Sequence, residues 1–147
     1  MSDRQLTALI VEDDADLSLL LASCVQGCGF QTVTAATKQA ALARVDQADL
    51  LLMDLLMPNG ENTALLSAWV RRHGTDSCII ISGHVNDKLK DDLVLAGATY
   101  VQDKPIKLHV LLILLRRMER WNRWKHELDT LKEEVRHLRA IIEGHAS

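Results

Sequence analysis

The chain has 147 residues, of which 48% are hydrophobic and 25% are charged, so it is long enough for one domain with a real core but too short for two. Two prolines and seven glycines exclude a long low-complexity region, and 3% aromatic residues indicate an aliphatic core. Charge is uneven: residues 1–106 carry 14 acidic and 8 basic side chains, whereas residues 107–147 carry 6 and 9. The start lacks the long apolar segment of a signal peptide, and the longest apolar run, residues 110–115, is too short to cross a bilayer. We therefore expect a cytoplasmic protein without a membrane partner.

Short apolar runs alternate with segments of helical period between residues 7 and 103. Strands are predicted at residues 7–11, 30–35, 50–53, 78–82 and 100–102. Helices are predicted between them at residues 15–26, 38–45, 62–72 and 87–96. The third strand is apolar at every position, as expected for a central strand that is covered on both faces. The pattern predicts an α/β domain of the (βα)5 type, with a parallel sheet and helices on both sides.

From residue 106 the pattern is helical and contains no proline or glycine before Gly144. We predict a helix of almost forty residues, about 55 Å long at 1.5 Å per residue, which projects from the domain. With Trp121 taken as heptad position a, every a and d position is apolar. These positions are Trp121, Trp124, Leu128, Leu131, Val135, Leu138 and Ile142. The heptad predicts a two-stranded parallel coiled coil, hence a homodimer.

The flanking g and e positions of this heptad form attractive pairs in Glu127 with Lys132 and in Glu134 with Arg139, whereas Arg120 with Lys125 is mismatched. About three heptads are marginal alone, so the dimer would also use the apolar faces of residues 108–115. Two other interpretations stay open. The helix could fold back on its own or another domain, and the two tryptophans among basic side chains could stack on nucleic-acid bases.

Polar side chains follow the predicted strands where each strand ends. Glu12, Asp13 and Asp14 follow the first strand, Asp54 the third, Ser82 ends the fourth and Lys104 follows the fifth. Because the carboxyl ends of parallel strands share one edge of the sheet, we expect these side chains to lie together. Clustered carboxylates are the ligands that Mg²⁺ prefers, and Lys104 would add a positive charge. The acidic triplet alone could also be the acidic first turn of a helix, with Asp14 as its N-cap.

Five ordered motifs resemble the receiver domains of two-component response regulators, over about residues 5–118. They are Val-Glu-Asp-Asp at 11–14, Met-Asp-Leu-Leu-Met-Pro at 53–58, Ile-Ile-Ile-Ser-Gly at 79–83, Ala-Gly-Ala at 96–98 and Lys-Pro at 104–105. The resemblance implies a flavodoxin-like, doubly wound sheet of strand order 2-1-3-4-5, followed here by the long C-terminal helix. It also implies a phosphoacceptor signalling module rather than an enzyme, one that catalyses at most its own phosphorylation and dephosphorylation.

The resemblance assigns the chemistry to particular residues. Asp54 would accept a phosphoryl group from a histidine kinase or phosphotransfer protein. Mg²⁺ would be held by Glu12, Asp13 and Asp54, together with the backbone carbonyl of Leu56. Many relatives carry a polar side chain at the position of Leu56, where it guides the hydrolytic water, so we expect slow self-dephosphorylation.

Further positions of the family pattern concern the other side of the site. Ser82 would bind a phosphoryl oxygen, Lys104 would pair with the phosphoryl group, and the peptide before Pro105 is often cis in the family. The usual aromatic switch residue is replaced by Val101. Tyr100 lies one position early and, by strand alternation, on the opposite face.

We divide the chain into a receiver domain at residues 1–118 and a coiled-coil linker at residues 119–147, which would pass the phosphorylation state to an output domain or partner. No DNA-binding motif follows residue 106, so nucleic acid would be bound only by an output domain outside this sequence. We therefore interpret the sequence itself as a fragment of a longer protein. One alternative is a receiver-like dimerisation scaffold that is not phosphorylated. Another is an aspartyl-phosphate phosphatase, although Leu56 stands where its general acid belongs. A flavin module is disfavoured because Glu12, Asp13 and Asp14 would repel its phosphate.

Overall fold

The computed structural model describes residues 5–57, 60–83 and 85–145. Within them, one parallel sheet contains five strands in the order β2-β1-β3-β4-β5, which confirms the predicted topology. The strands are β1 Leu6–Val11, β2 Phe30–Ala35, β3 Leu50–Asp54, β4 Cys78–Ser82 and β5 Tyr100–Asp103. A short antiparallel pair, Leu56–Met57 with Gly60–Glu61, follows β3 and was not predicted.

Five α-helices connect or extend these strands in the described part of the chain. They are α1 Ala15–Gly27, α2 Lys38–Leu42, α3 Thr63–His73, α4 Asp87–Leu95 and α5 Leu108–His145. The predicted second helix, 38–45, was wrong at its C-terminal end. The Arg44 N–H donates to the Ala41 carbonyl, which tightens the chain after α2, and a 3-10 turn at Val45–Gln47 then places Val45 in the core.

The apolar core forms two layers, one on each face of the sheet. One layer joins β-strand residues to α2, α3 and α4 and includes Trp69, and the other joins them to α1 and α5 and includes Leu111 and Leu115. All five residues of β3 are buried, as predicted for the central strand. Gly97 ends α4 with a φ of 118°, and a Cβ there would lie 2.4 Å from a methyl carbon of Val70 on α3. The close approach of these two helices therefore requires glycine.

Helix α5 is continuous over 38 residues, in agreement with the predicted long helix. Its first part is docked on the domain, where Leu111, Leu115, Met118 and Asn122 are buried. Every residue from 129 to 144 is exposed, so the helix projects beyond its own domain instead of folding back. None of the described helices is both long enough and apolar enough to span a membrane.

Candidate functional site

The predicted carboxylates meet at the carboxyl edge of the sheet. Val11 of β1 pairs with Met53 of β3, so the residues that follow them, Glu12 and Asp54, are neighbours. One carboxylate oxygen from each of Glu12, Asp13 and Asp54 lies within 4.8 Å of the others. Glu12 and Asp54 are buried and Asp13 is exposed, which leaves the cluster open to solvent on one side.

Asp14 has a different role from the carboxylates of the cluster, Glu12, Asp13 and Asp54. Its side chain accepts hydrogen bonds from the backbone N–H groups of Asp16 and Leu17, and it is therefore the N-cap of α1. Its own N–H donates to Glu12 Oε1 at 3.1 Å. The simpler interpretation of the acidic triplet thus holds for Asp14, while Glu12 and Asp13 contribute to the carboxylate cluster.

Lys104 faces the carboxylate cluster from β5. Its Nζ lies 2.8 Å from Asp54 Oδ2 and 3.7 Å from Glu12 Oε2. The backbone N–H of Lys104 donates to the Ser82 carbonyl, and the Lys104–Pro105 peptide bond is cis. Burial acts to lower the pKa of Lys104, but the hydrogen bond and charge of Asp54, with the charge of Glu12, raise this pKa above its usual value. The ammonium therefore stays charged at the site.

The surroundings of the Glu12 carboxyl favour its neutral form, chiefly because the group is buried. Burial, aided by the charge of Asp54, raises the pKa of Glu12 to about 7, although the Asp14 N–H and Lys104 act in the opposite direction. A divalent cation bound among the carboxylates would favour the ionised form of Glu12. Three carboxylate oxygens converge at this point, and the exposed Asp13 lies on the solvent side of the cluster. This set of oxygen ligands fits Mg²⁺, which keeps several of its bound waters.

The backbone around Asp54 is fixed by two further residues. The Leu56 N–H donates to Asp54 Oδ1 at 3.1 Å, and the Leu56 side chain is half exposed beside the site. The Leu56 carbonyl remains a predicted metal ligand. Asn62 is buried, and its Nδ2 donates to the Asp54 carbonyl at 2.8 Å while its N–H donates to the Leu55 carbonyl. Asp54 is thus held through its side chain by Leu56 and through its main chain by Asn62.

The helix predicted at residues 62–72 begins with Asn62 and gives no indication that this residue contributes to the site. Asn62 does precede α3, but its side chain makes no capping bond and turns back to the end of β3 instead. The available signal was a polar residue at the end of the loop that follows β3. Nothing in its spacing pointed to the Asp54 carbonyl eight residues away.

Ser82 ends β4 and Val101 lies within β5, as the sequence predicts. Ile81 of β4 pairs with Asp54, so Ser82 lies one residue beyond it at the same edge, and it is buried. Val101 is buried in the same apolar layer as Leu93 of α4, whereas Tyr100 is exposed. Tyr100 therefore does not take the place of the missing aromatic side chain.

The predicted coil residues form an exposed apolar stripe along α5. Six of the seven are between 42% and 68% exposed and Leu128 is intermediate; the six are Trp121, Trp124, Leu131, Val135, Leu138 and Ile142. The rings of Trp121 and Trp124 are stacked on each other, with centroids 5.0 Å apart. A stripe of this size on one helix face is typical of a surface that packs against another chain.

Comparisons with known sequences identify the family of the chain. A family model described as the response regulator receiver domain matches residues 8–116. The chain is 27% identical over 143 residues to the nitrogen assimilation regulatory protein NtrX of Azorhizobium caulinodans, covering 93% of this chain and 30% of NtrX. It is 29% identical over 121 residues to the transcriptional regulatory protein CpxR of Escherichia coli, covering 81% of this chain and 51% of CpxR. The chain thus spans only about a third to a half of these relatives.

Solved structures show the same fold. NtrX from Brucella abortus superposes with a TM-score of 0.71 at 26% identity, over 88% of this chain and 30% of that one. A CheY-like response regulator receiver domain protein from Methanospirillum hungatei superposes with a TM-score of 0.67 at 24% identity, over 89% and 99%. The sheet order, the carboxylate cluster with Lys104 and the family match lead to one conclusion: the chain belongs to the response regulator receiver domains of two-component systems.

Proposed function

We propose that the chain is a phosphoacceptor that takes a phosphoryl group from a histidine kinase or phosphotransfer protein onto Asp54. The observation that carries the proposal is the setting of the Asp54 carboxylate, which binds the Leu56 N–H through one oxygen and Lys104 Nζ through the other. Two further carboxylates lie beside it at the open edge of the sheet. A carboxylate oriented in this way can attack phosphorus in line with the departing group.

In the proposed reaction, an Asp54 carboxylate oxygen forms a bond to phosphorus while the bond from phosphorus to the donor's histidine nitrogen breaks. The donor histidine keeps the electron pair, and Asp54 becomes an acyl phosphate. Bound Mg²⁺, held by Glu12, Asp13 and Asp54 with the predicted Leu56 carbonyl, would supply positive charge to the phosphoryl oxygens. Lys104 supplies a second positive charge, and phosphoryl transfer requires little else from a protein than position and charge.

Ser82 and Lys104 would respond to phosphorylation by binding the phosphoryl oxygens. The acyl phosphate adds negative charge next to two side chains that donate hydrogen bonds. The Lys104 ammonium, now bound to Asp54, would pair with the new phosphoryl oxygens, and the Ser82 hydroxyl would donate to another. Both residues lie at strand ends joined by the hydrogen bond from the Lys104 N–H to the Ser82 carbonyl, so a shift at one is passed to the other.

We further propose that the chain forms a parallel homodimer through α5 and that residues 119–147 are a linker to an output domain or partner. The stripe of exposed heptad residues supports the dimer, and the partial coverage of NtrX and CpxR supports an output outside this sequence. The names of NtrX and CpxR both denote regulatory proteins. We propose that any binding of nucleic acid takes place through such an output domain and not through the receiver domain.

Two alternatives are weaker. A phosphatase of the aspartyl-phosphate type needs a proton donor two residues after the nucleophile, and Leu56 has none. A scaffold that is never phosphorylated would not need Lys104 and two acidic side chains arranged around the Asp54 carboxylate. We therefore place the chain among signalling modules and not among enzymes that turn over a substrate.

The test is incubation with acetyl phosphate and Mg²⁺, followed by measurement of intact mass. The wild type should gain one phosphoryl group and the Asp54→Asn variant none. Absence of the adduct in the wild type, or its persistence in the variant, would contradict the assignment. For the dimer, sedimentation equilibrium of the full chain should show dimers that Leu131→Glu abolishes.

A further inference from the structure

We propose that Asp76 of the receiver domain is part of the dimer interface, where it neutralises Lys125 of its own α5 and faces Arg120 of the second copy. This inference rests on the parallel dimer proposed above. It concerns the end of the sheet opposite the phosphorylation site, because Asp76 lies in the connection between α3 and the start of β4.

Asp76 connects the domain to the first layer of the coil. Its Oδ1 and Oδ2 lie 3.1 and 3.2 Å from Lys125 Nζ, and its Oδ2 also accepts a hydrogen bond from Trp121 Nε1. Trp121 is the first a position of the heptad and Lys125 is the e position after it. The Asp76 side chain is still 37% exposed, and a carboxylate accepts about four hydrogen bonds, so it has capacity for another donor.

Helix α5 presents two separate faces at this point. The docked residues Leu111, Leu115, Met118 and Asn122 follow each other at spacings of four, three and four. At 3.6 residues per turn, the centre of this docked face and the centre of the heptad stripe point in directions roughly 140° apart. The helix can therefore pack on its own domain and on a second helix at the same time. Asp76 lies at the margin between the two faces, beside Trp121.

The charges of the heptad explain why a carboxylate is needed there. In a parallel dimer each g residue lies beside the e residue five positions later in the other chain, which pairs Arg120 with Lys125. This is the one repulsive pair among the three g–e pairs in the sequence. Asp76 cancels this repulsion, because it neutralises Lys125 within the chain and its exposed carboxylate can also accept from the approaching guanidinium of Arg120 of the second copy. Asp76 of the domain thus compensates for the charge mismatch between Arg120 and Lys125 in the coil.

A cycle of variants tests this inference by sedimentation equilibrium of the full chain. Asp76→Asn removes the charge and keeps an acceptor for Trp121, and it should weaken the dimer roughly two- to thirty-fold, the range for two symmetric exposed ion pairs. Arg120→Glu should leave the wild-type dimer unchanged or weaker, because the new glutamate meets Asp76. In the Asp76→Asn background the same Arg120→Glu change should strengthen the dimer. Asp76→Glu keeps the charge and should retain most of the affinity.

Asp46→Asn is the matched control, since Asp46 binds Arg72 on an exposed part of the same domain. It should leave the dimer dissociation constant unchanged, and thermal unfolding of each variant checks the fold. If Arg120→Glu strengthens the dimer equally with and without Asp76, the inference is overturned while the dimer stands. If the wild type is a monomer at every concentration, the dimer proposal itself fails and the inference fails with it.

Discussion

Replacement of Lys104 by methionine should destabilise the domain by an amount that depends on Mg²⁺ and on pH. The change removes the ammonium that lies 2.8 Å from Asp54 and 3.7 Å from Glu12, and both carboxylates are buried. Breaking a buried ion pair costs roughly 3–5 kcal/mol, but the Lys104 side chain is 31% exposed, and water reduces the loss. We expect a loss of about 2 kcal/mol in the free energy of unfolding at pH 8 without Mg²⁺.

Two conditions should make this loss smaller. At pH 6 the Glu12 carboxyl, whose pKa is raised to about 7, holds a proton that relieves the repulsion. Added Mg²⁺ should do the same by placing positive charge among the carboxylates. Urea denaturation at pH 6 and pH 8, with and without Mg²⁺, measures all four values.

Lys90→Met is the matched control for this experiment. Lys90 Nζ also lies 2.8 Å from a carboxylate, that of Asp103, but this pair is on the surface. Its replacement should change stability little and independently of Mg²⁺. Equal stability of Lys104→Met and wild type at pH 8 without Mg²⁺, or a loss that Mg²⁺ does not reduce, would refute the electrostatic account of the site.

Three other predictions concern hydrolysis, pH and the coil. Leu56→Asn should shorten the acyl-phosphate lifetime, measured by decay of the phosphorylated mass, because an amide can orient water where the apolar side chain cannot; a longer lifetime would contradict this. The raised pKa of Glu12 means that the folded protein binds more protons than the unfolded chain between pH 4.5 and 7, so stability without Mg²⁺ should fall as pH rises through that window. Urea denaturation of Glu12→Gln should show no such fall, and a slope equal to the wild type would exclude Glu12 as its source. Leu131→Glu should abolish the dimer in sedimentation while leaving the thermal unfolding of the domain nearly unchanged, since residue 131 is exposed.

The fold was predictable because its signals are local and repeated. Three local patterns determine most of the structure: the apolar β3, the helical spacing between strands, and the absence of proline and glycine between residues 106 and 143. The end of α2 was not predictable in this way, because the burial of Val45 in the core overrides a helical pattern that continues past Leu42. Such an override depends on residues that are distant in sequence.

The site was predictable only where its residues end strands. Glu12, Asp54, Ser82 and Lys104 follow from the rule that carboxyl ends of parallel strands share an edge. Asn62 reaches Asp54 from a loop, and loop geometry leaves no periodic signal. Asp76 was missed for another reason, because its partners Trp121 and Lys125 are 45 and 49 residues away and their contacts depend on where a long helix docks.

The most direct test of the central claim is to locate the phosphoryl group after reaction with acetyl phosphate and Mg²⁺. Borohydride reduction of the acyl phosphate followed by peptide mass spectrometry identifies the modified residue. We predict modification of Asp54, the last residue of β3, and none of Glu12 or Asp13. Modification at another carboxylate, or none in a protein that is folded and binds Mg²⁺, would contradict it.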